Sequence, residues 1–206
     1  PGTGEIVGKA LALHSQVDLI TFTGSTAVGR SIMQDAAQSN LKRVILECGG
    51  KSPHIVFDDG VDLDAAADGI AHFILTNQGQ ICIAGTRLLV QETIEAALLE
   101  KVAYRFQQVV IGDPLDPDTT FGPMVTQQQL RKVMEYIDIG HESGAKLITG
   151  GKRILEESGG YFIEPALFQG VKADARLAQE EIFGPVLSTI TFTDEADAIR
   201  IANSTY

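Results

Sequence analysis

The chain has 206 residues, of which 44% are hydrophobic, so it can bury one large hydrophobic core or two smaller ones. Its 16 basic and 27 acidic residues give a net charge of -11, and no run of lysines or arginines offers a surface for nucleic acid or anionic lipid. No apolar stretch approaches the roughly 20 residues of a membrane-spanning helix, and the first residues do not resemble a secretory signal, so we expect a cytosolic or organellar protein and assign it to the cytoplasm.

Short apolar runs alternate with longer segments of helical periodicity, which predicts an α/β fold with a largely parallel sheet and flanking helices. The first part of the chain reads as a crossover unit, with strands over 19–23 and 43–47 and a helix from about residue 25 to 38. Further strands are predicted over 54–57, 86–91, 146–149 and 185–192. Further helices are predicted over 63–75, 94–110, around 130–137, and 195–202.

Two features of the sequence predict where a helix begins and where a domain ends. Thr126 and Gln129 have the spacing of a capping box, so a helix should begin there. No linker or low-complexity tract interrupts the chain, and the tight turn Cys48-Gly49-Gly50 is the best candidate for a domain boundary. We therefore predict domains over 1–48 and 49–206.

The segment FTGSTAVG, residues 22–29, joins the first strand to its helix. Backbone N–H groups and the helix dipole attract phosphate at such a junction; Gly24 would allow close approach and Ser25 could donate a hydroxyl. The spacing is neither that of a Walker loop nor the usual dinucleotide fingerprint. An ordinary turn with a serine cap is an equally good interpretation.

The segment LECGGKSP, residues 46–53, places Glu47 at the end of an apolar strand. A carboxylate that is partly desolvated there would suit a general base. A helix cap or a salt-bridge partner is the simpler alternative. Glu47 and Cys82 lie 35 residues apart, each at the edge of a strand-like element, so the two side chains could converge.

The segment NQGQICIAGTR, residues 77–87, reads as a loop that presents the thiol of Cys82. Thiolate is an intrinsically reactive nucleophile, so Cys82 is a candidate for covalent catalysis. The alternative is an inert cysteine buried between Ile81 and Ile83. Cys48 is the only other cysteine, so we expect reduced thiols and no disulfide framework.

The segment QEEIFGPV, residues 179–186, places two acids and an aromatic residue before a Gly-Pro turn, and a solvated acidic turn is its default interpretation. We predict no metal site. The four histidines are scattered, and the acidic loop after Gly112 lacks the alternating ligands and closing glutamate of a calcium site.

These four segments, in this order, resemble the aldehyde dehydrogenase superfamily, and the resemblance covers essentially the whole chain. It implies that Cys82 is the nucleophile and that Glu47 activates water. It further implies that residues 24–29 cover the cofactor phosphates, and that Glu181 and Phe183 contact the ribose and the ring of the nicotinamide. The implied phosphate-binding residues are Gly24, Ser25, Thr26 and Gly29. Cys48 stands where the family usually has leucine, and Ala27 where a polar or acidic residue is common.

The resemblance implies an oxidoreductase that converts an aldehyde to a carboxylic acid through a thiohemiacetal and a thioester on cysteine. Its cofactor would be NAD, with NADP as the alternative. Residues 1–48 would be the C-terminal part of a Rossmann-like cofactor domain, and 49–206 most of the catalytic domain, truncated at its C-terminal end. We expect a central fragment of a subunit more than twice as long, which would be a homodimer or homotetramer. The oxyanion-binding Asn and the cofactor-binding Lys of the family would lie upstream.

Two alternatives remain. One is a dehydrogenase that passes the acyl group to coenzyme A, although Glu47 favours hydrolysis because transfer to a thiol needs no water-activating base. The other is a non-catalytic module that retains the fold. We expect the 206-residue chain by itself to have little or no activity.

Overall fold

The structure is a computed structural model that describes residues 1–205. The chain divides into two compact units, Pro1–Gly50 and Lys51–Tyr206.

The first unit contains the predicted crossover. One turn of π-helix, Gly4–Gly8, leads into helix α1, Lys9–Leu13. Strand β1, Leu19–Gly24, helix α2, Thr26–Gln38, and strand β2, Arg43–Cys48, follow. The two strands pair in parallel, with Thr23 opposite Glu47. Parallel strands require a crossover connection, which α2 provides, so this part of the prediction is confirmed.

The first unit buries few side chains. Its buried apolar residues are Ala12 and Ala36. Lys42 is buried as well, and its ammonium donates to the carbonyl of Ala12 and, at 3.0 Å, to the hydroxyl of Ser39. Every residue of β1 and β2 is exposed or only half-buried. The two-stranded sheet therefore has no covered core of its own.

The second unit is built around a five-stranded sheet. Its first part comprises β3, Pro53–Val56, α3, Leu63–Leu75, a 3₁₀ turn, Thr76–Gly79, β4, Arg87–Gln91, and α4, Glu95–Gln107. Next come α5, Gln127–Glu142, β5, Lys146–Thr149, β6, Arg153–Ile154, a 3₁₀ turn, Glu156–Ser158, and β7, Phe162–Ile163. The last elements are β8, Ala166–Gln169, α6, Arg176–Gln179, β9, Val186–Phe192, and α7, Glu195–Ala202.

The strand order of this sheet is β3-β4-β9-β8-β5. The first four strands in this order pair in parallel, and β5 joins β8 as an antiparallel edge strand. Strands β6 and β7 form a separate antiparallel pair. The predicted α/β fold with a largely parallel sheet is therefore confirmed, with an antiparallel edge that the pattern did not predict.

Side chains of the central strands alternate between two hydrophobic clusters, one on each face of the sheet. Leu88 and Val90 of β4 join the cluster packed against α3 and α4, whereas Leu89 between them joins the cluster packed against α5 and α6. This is the period-two alternation of a strand buried on both faces. No helix within residues 1–205 is long and apolar enough to cross a lipid bilayer.

Two kinds of difference from the predicted elements have clear causes. Strand β8, helix α6 and the β6–β7 pair were not predicted, and none of them is longer than four residues. Elements this short are hard to identify from periodicity, although the four-residue strands β3 and β5 were predicted. Helix α4 ends at Gln107, before the predicted residue 110. The backbone N–H of Val110 instead donates to the hydroxyl of Thr120 at 2.9 Å, so the chain leaves the helix to pair with a later loop.

Candidate active site

Cys82 lies in a loop whose start has an unusual backbone. This cysteine loop, residues 76–86, connects α3 to β4. Asn77, Gln78 and Gly79 have φ of 49°, 55° and 67°, so three successive residues are left-handed. A Cβ atom on Gly79 would lie 2.5 Å from the carbonyl oxygen of Gly184. Glycine is therefore required at position 79 by both its φ and its contact with Gly184.

Side-chain amides hold this strained segment in place. Asn77 Nδ2 donates to the carbonyl of Gln80 at 3.0 Å, and Gln80 Nε2 donates to the carbonyl of Asn77 at 3.2 Å. The Gln80 side chain is buried, and its Oε1 accepts from the backbone N–H of Val125 at 3.0 Å. The start of the cysteine loop is thus bonded both to itself and to the segment before α5.

Cys82 is exposed, at the centre of a tight turn. The backbone N–H of Ala84 donates to the carbonyl of Ile81 at 3.2 Å, which places Cys82 and Ile83 at the two central positions. Ile83 is 67% exposed, and Cys82 is a free, exposed thiol. The alternative of a cysteine buried between two isoleucines is therefore wrong. Catalysis by Cys82 stays a prediction, for which accessibility is a precondition.

Glu181 and Phe183 lie on a second loop, which contacts the first. This Phe183 loop, residues 180–184, precedes β9, and both side chains are half-buried. Phe183 has φ of 60°, a strained conformation for an aromatic residue. Because Gly184 abuts Gly79, the structure brings together the loops that carry Cys82 and the predicted cofactor contacts.

The first turns of α5 supply the bonds that hold the Phe183 loop. Gln129 Nε2 donates to the carbonyls of Ile182 and Phe183, each at 2.9 Å. Lys132 Nζ donates to the carbonyl of Glu181 at 2.8 Å. The loop is therefore held through its backbone carbonyls.

The predicted capping box at the start of α5 is half formed. Thr126 Oγ1 accepts from the backbone N–H of Gln129 at 3.1 Å, as predicted. The Gln129 side chain does not complete the box, because its amide reaches across to the Phe183 loop. Sequence reasoning assigned this glutamine to the helix end and missed its tertiary contact.

Lys51 is a buried cation that sequence reasoning also missed. It is the first residue of the second unit. The next residue, Ser52, lies beside the start of β4, because its carbonyl accepts from the backbone N–H of Arg87 at 3.4 Å. Burial, together with the positive charge of Arg87, lowers the pKa of Lys51 to about 7, against the opposing effect of Glu181. Lys51 Nζ has no hydrogen-bond partner among the described residues. The available signal was a lysine two residues before the start of β3.

Arg87 is buried too, but its guanidinium has partners. It donates to the carbonyls of Ile201 and Ala202 at 2.8 and 2.7 Å. These carbonyls lie at the C-terminal end of α7, where a cation is favourable. The arginine of the cysteine motif therefore anchors a helix end.

The predicted phosphate-binding residues lie at the start of α2 in the first unit. Ser25 is the N-cap, and its hydroxyl accepts from the backbone N–H of Val28 at 3.3 Å. A Cβ on Gly29 would lie 3.2 Å from a methyl of Leu46 and 3.3 Å from the sulfur of Cys48. Gly29 therefore lets the helix pack closely on β2. The serine-capped turn is confirmed, and phosphate binding at Gly24, Ser25, Thr26 and Gly29 stays a prediction.

Glu47 lies near the end of β2, opposite Thr23, and is exposed. The expected partial desolvation of its carboxylate is wrong for this chain, because no element of the first unit covers that face of the two-stranded sheet. Glu47 belongs to the first unit and Cys82 to the second. Their convergence and the role of Glu47 as a base stay predictions.

Metal ligation has no candidate in the described part of the chain. Among residues 1–205, no group of three or more His, Cys, Asp or Glu side chains could hold a metal ion. The cysteine loop carries an exposed thiol, and it packs through Gly79 against the loop that carries Glu181 and Phe183.

Comparison with known proteins gives matches over the full chain. The aldehyde dehydrogenase family matches residues 1–206. An aldehyde dehydrogenase from Emericella nidulans is 50% identical over 204 residues, which are 99% of this chain and 40% of that protein. The aldehyde dehydrogenase KauB from Pseudomonas aeruginosa has a TM-score of 0.97 at 53% identity, over 100% of this chain and 41% of its own. A mutant of the indole-3-acetaldehyde dehydrogenase AldA from P. syringae, in complex with NAD+ and IAA, has a TM-score of 0.97 at 52% identity, with the same coverage.

Proposed function

The chain belongs to the aldehyde dehydrogenase family, and from this premise we propose that it is part of an enzyme that oxidises an aldehyde to a carboxylic acid with NAD+. The chain spans about 40% of the length of the curated relatives it matches, so the proposal concerns a longer protein. NADP+ is the alternative cofactor.

One observation carries the proposal. The exposed thiol of Cys82 lies on a loop whose strained base packs directly against the loop of Glu181 and Phe183. Strain at a well-packed loop is a common mark of a functional site. Here it coincides with a nucleophile and with side chains suited to a sugar hydroxyl and a planar ring.

In the proposed reaction the thiolate of Cys82 attacks the carbonyl carbon, and a thiohemiacetal forms on sulfur. The backbone N–H of Cys82 would stabilise the developing oxyanion, together with an upstream Asn. NAD+, when bound, supplies the chemistry of hydride acceptance. Glu47 then takes a proton from water, the hydroxide attacks the resulting thioester, and the carboxylic acid leaves Cys82.

The residues of each unit suit a dinucleotide. Half-buried Glu181 offers a carboxylate for ribose hydroxyls, and half-buried Phe183 offers an aromatic face. At the start of α2, Ser25 caps the 13-residue helix, and the backbone N–H groups beside it suit a phosphate. Gly24, Thr26 and Gly29 complete this part of the proposed cofactor site.

The proposal also assigns the two units. Residues 1–48 would be the end of a Rossmann-like cofactor domain, and 49–206 most of a catalytic domain. A homodimer or homotetramer and a cytoplasmic location belong to the same proposal.

The test uses the full-length protein that contains this chain, supplied with NAD+ and a panel of aldehydes. We expect Cys82→Ala to abolish formation of reduced cofactor. Glu47→Gln should give a burst of reduced cofactor and then stall, with an acyl group on Cys82 detectable by intact mass. Cys48→Ala is the matched control, because it removes a thiol without a proposed role in catalysis.

A steady rate that Glu47→Gln leaves unchanged would remove the base assignment. Acyl transfer to added coenzyme A by the wild type would favour the acylating branch instead. Full activity in Cys82→Ala would end the proposal.

A further inference from the structure

The Phe183 loop has a conformation that its own sequence does not favour. Phe183 is left-handed, a region in which a bulky side chain is strained, and such a residue persists only where its surroundings hold it. The carbonyls of Ile182 and Phe183 flank this strained position. Both accept from a single atom, Gln129 Nε2, at 2.9 Å.

The position of Gln129 is itself well defined. It lies on the first turn of α5, which Thr126 caps, and the next residue, Leu130, is buried in the hydrophobic core. Gln129 is half-buried, so its bonds to the two carbonyls are weakly screened by water. The helix therefore presents the carboxamide to the loop from a rigid base.

The loop that Gln129 holds also contacts the cysteine loop. Gly184 packs so closely on Val133 that a Cβ there would lie 2.4 Å from a valine methyl. On its other side, Gly184 abuts Gly79. A shift of the Phe183 loop would therefore move the surface against which the cysteine loop packs.

We propose that Gln129 is a positioning residue, whose side-chain amide, by donating to the carbonyls of Ile182 and Phe183, holds Glu181 and Phe183 in the arrangement that receives the nicotinamide cofactor. This rests on the proposed function, because the ligand of Glu181 and Phe183 is taken from it. Gln129 acts through the loop and needs no contact of its own with the cofactor.

Substitutions at Gln129 can remove its hydrogen-bond donor while keeping the size of the side chain. Gln129→Glu keeps the shape of the side chain but replaces the donor by a carboxylate oxygen, which would face two carbonyl oxygens and repel both. Gln129→Met keeps the length and removes the donor without adding charge. Gln127→Glu is the matched control, because it adds the same charge to the same helix turn at an exposed position.

The experiment has two arms on the full-length protein that contains this chain. The first measures hydrogen exchange of the backbone amides in the segment 181–186, Pro185 having none, without cofactor. The second measures the Kd of NAD+ and, with an aldehyde substrate, the separate KM values for cofactor and aldehyde. Thermal unfolding is recorded for every variant.

We expect Gln129→Glu to speed exchange in 181–186 and to weaken NAD+ binding about tenfold, with the aldehyde KM unchanged. Gln129→Met should fall between Gln129→Glu and the wild type. Gln127→Glu should match the wild type. A variant whose thermal stability falls while its NAD+ Kd stays at the wild-type value would show a merely structural role and overturn the proposal.

Unchanged exchange in Gln129→Glu would overturn it as well. If the wild type binds NAD+ but oxidises no aldehyde, the proposed function fails. The exchange rates and the NAD+ Kd then still decide whether Gln129 positions the loop.

Discussion

The two units of this chain differ in how they bury apolar side chains. In the second unit, two clusters cover both faces of a five-stranded sheet. In the first, two paired strands and their helices leave large apolar side chains at the surface. The exposed large apolar residues of the first unit are Ile6, Leu11, Leu13, Leu19, Val28, Met33, Leu41 and Ile45.

This difference suggests that the second unit can fold by itself, whereas the first depends on further parts of the protein. A two-stranded sheet without a covered hydrophobic face is marginally stable by itself, whereas a five-stranded sheet with helices on both faces supports itself. The cysteine loop and the Phe183 loop belong to the self-supporting unit. Glu47 and the proposed phosphate-binding turn belong to the other, so we expect their geometry to depend on more of the longer protein.

Producing the two units separately tests whether only the second one folds by itself. We expect residues 51–206 to unfold in one cooperative transition when produced alone, because both clusters remain intact. Residues 1–50 should show no cooperative transition. Circular dichroism during heating measures both. A sigmoidal transition in the 50-residue piece would contradict the distinction.

Two buried lysines provide a second comparison, because Lys42 of the first unit has hydrogen-bond acceptors and Lys51 of the second has a pKa lowered to about 7. An unfolded Lys51 would bind its proton up to pH 10.5, whereas the folded one releases it above about pH 7. Between these values the unfolded state binds more protons, so stability rises with pH. At pH 7 and below, the penalty of burying the charge is fully present.

We therefore expect Lys51→Met to raise the free energy of unfolding at pH 7, by at most about 5 kcal/mol, and the gain to shrink as the pH rises toward 10.5. Lys42→Met should instead destabilise the chain, because it removes the bonds to Ala12 and Ser39. Urea titrations at several pH values test both. A gain from Lys51→Met that does not vary with pH would show that packing, not charge, is responsible.

A leucine-to-alanine substitution in each unit compares how tightly the two units are packed. Leu89 of β4 is fully buried, and Leu19 of β1 is 45% exposed. Leu89→Ala should destabilise the chain by about 3 kcal/mol, because it leaves a cavity in a packed core. Leu19→Ala should change stability by less than about 1 kcal/mol. Similar losses in urea titrations of the two variants would mean that the first unit is packed as tightly as the second.

The pattern of apolar residues predicted many of the helices and strands, because these elements have characteristic local periodicities. The crossover of the first unit and the strands Arg87–Gln91 and Lys146–Thr149 lie within one residue of the predicted ranges. Strand β8, which lies inside the sheet between β9 and β5, was not predicted, and its apolar run is only three residues long. Its place became visible only through pairing with β9 and β5.

Residue types and short spacings were enough to predict the α/β class, the loop around Cys82 and the family resemblance. The exposure of Cys82, the contact of Gly79 with Gly184, and the bonds from Gln129 to the carbonyls beside Phe183 became visible in the folded structure. So did the burial of Lys51. Burial and contact between residues tens of positions apart depend on how strands and helices pack, and no local spacing encodes that packing.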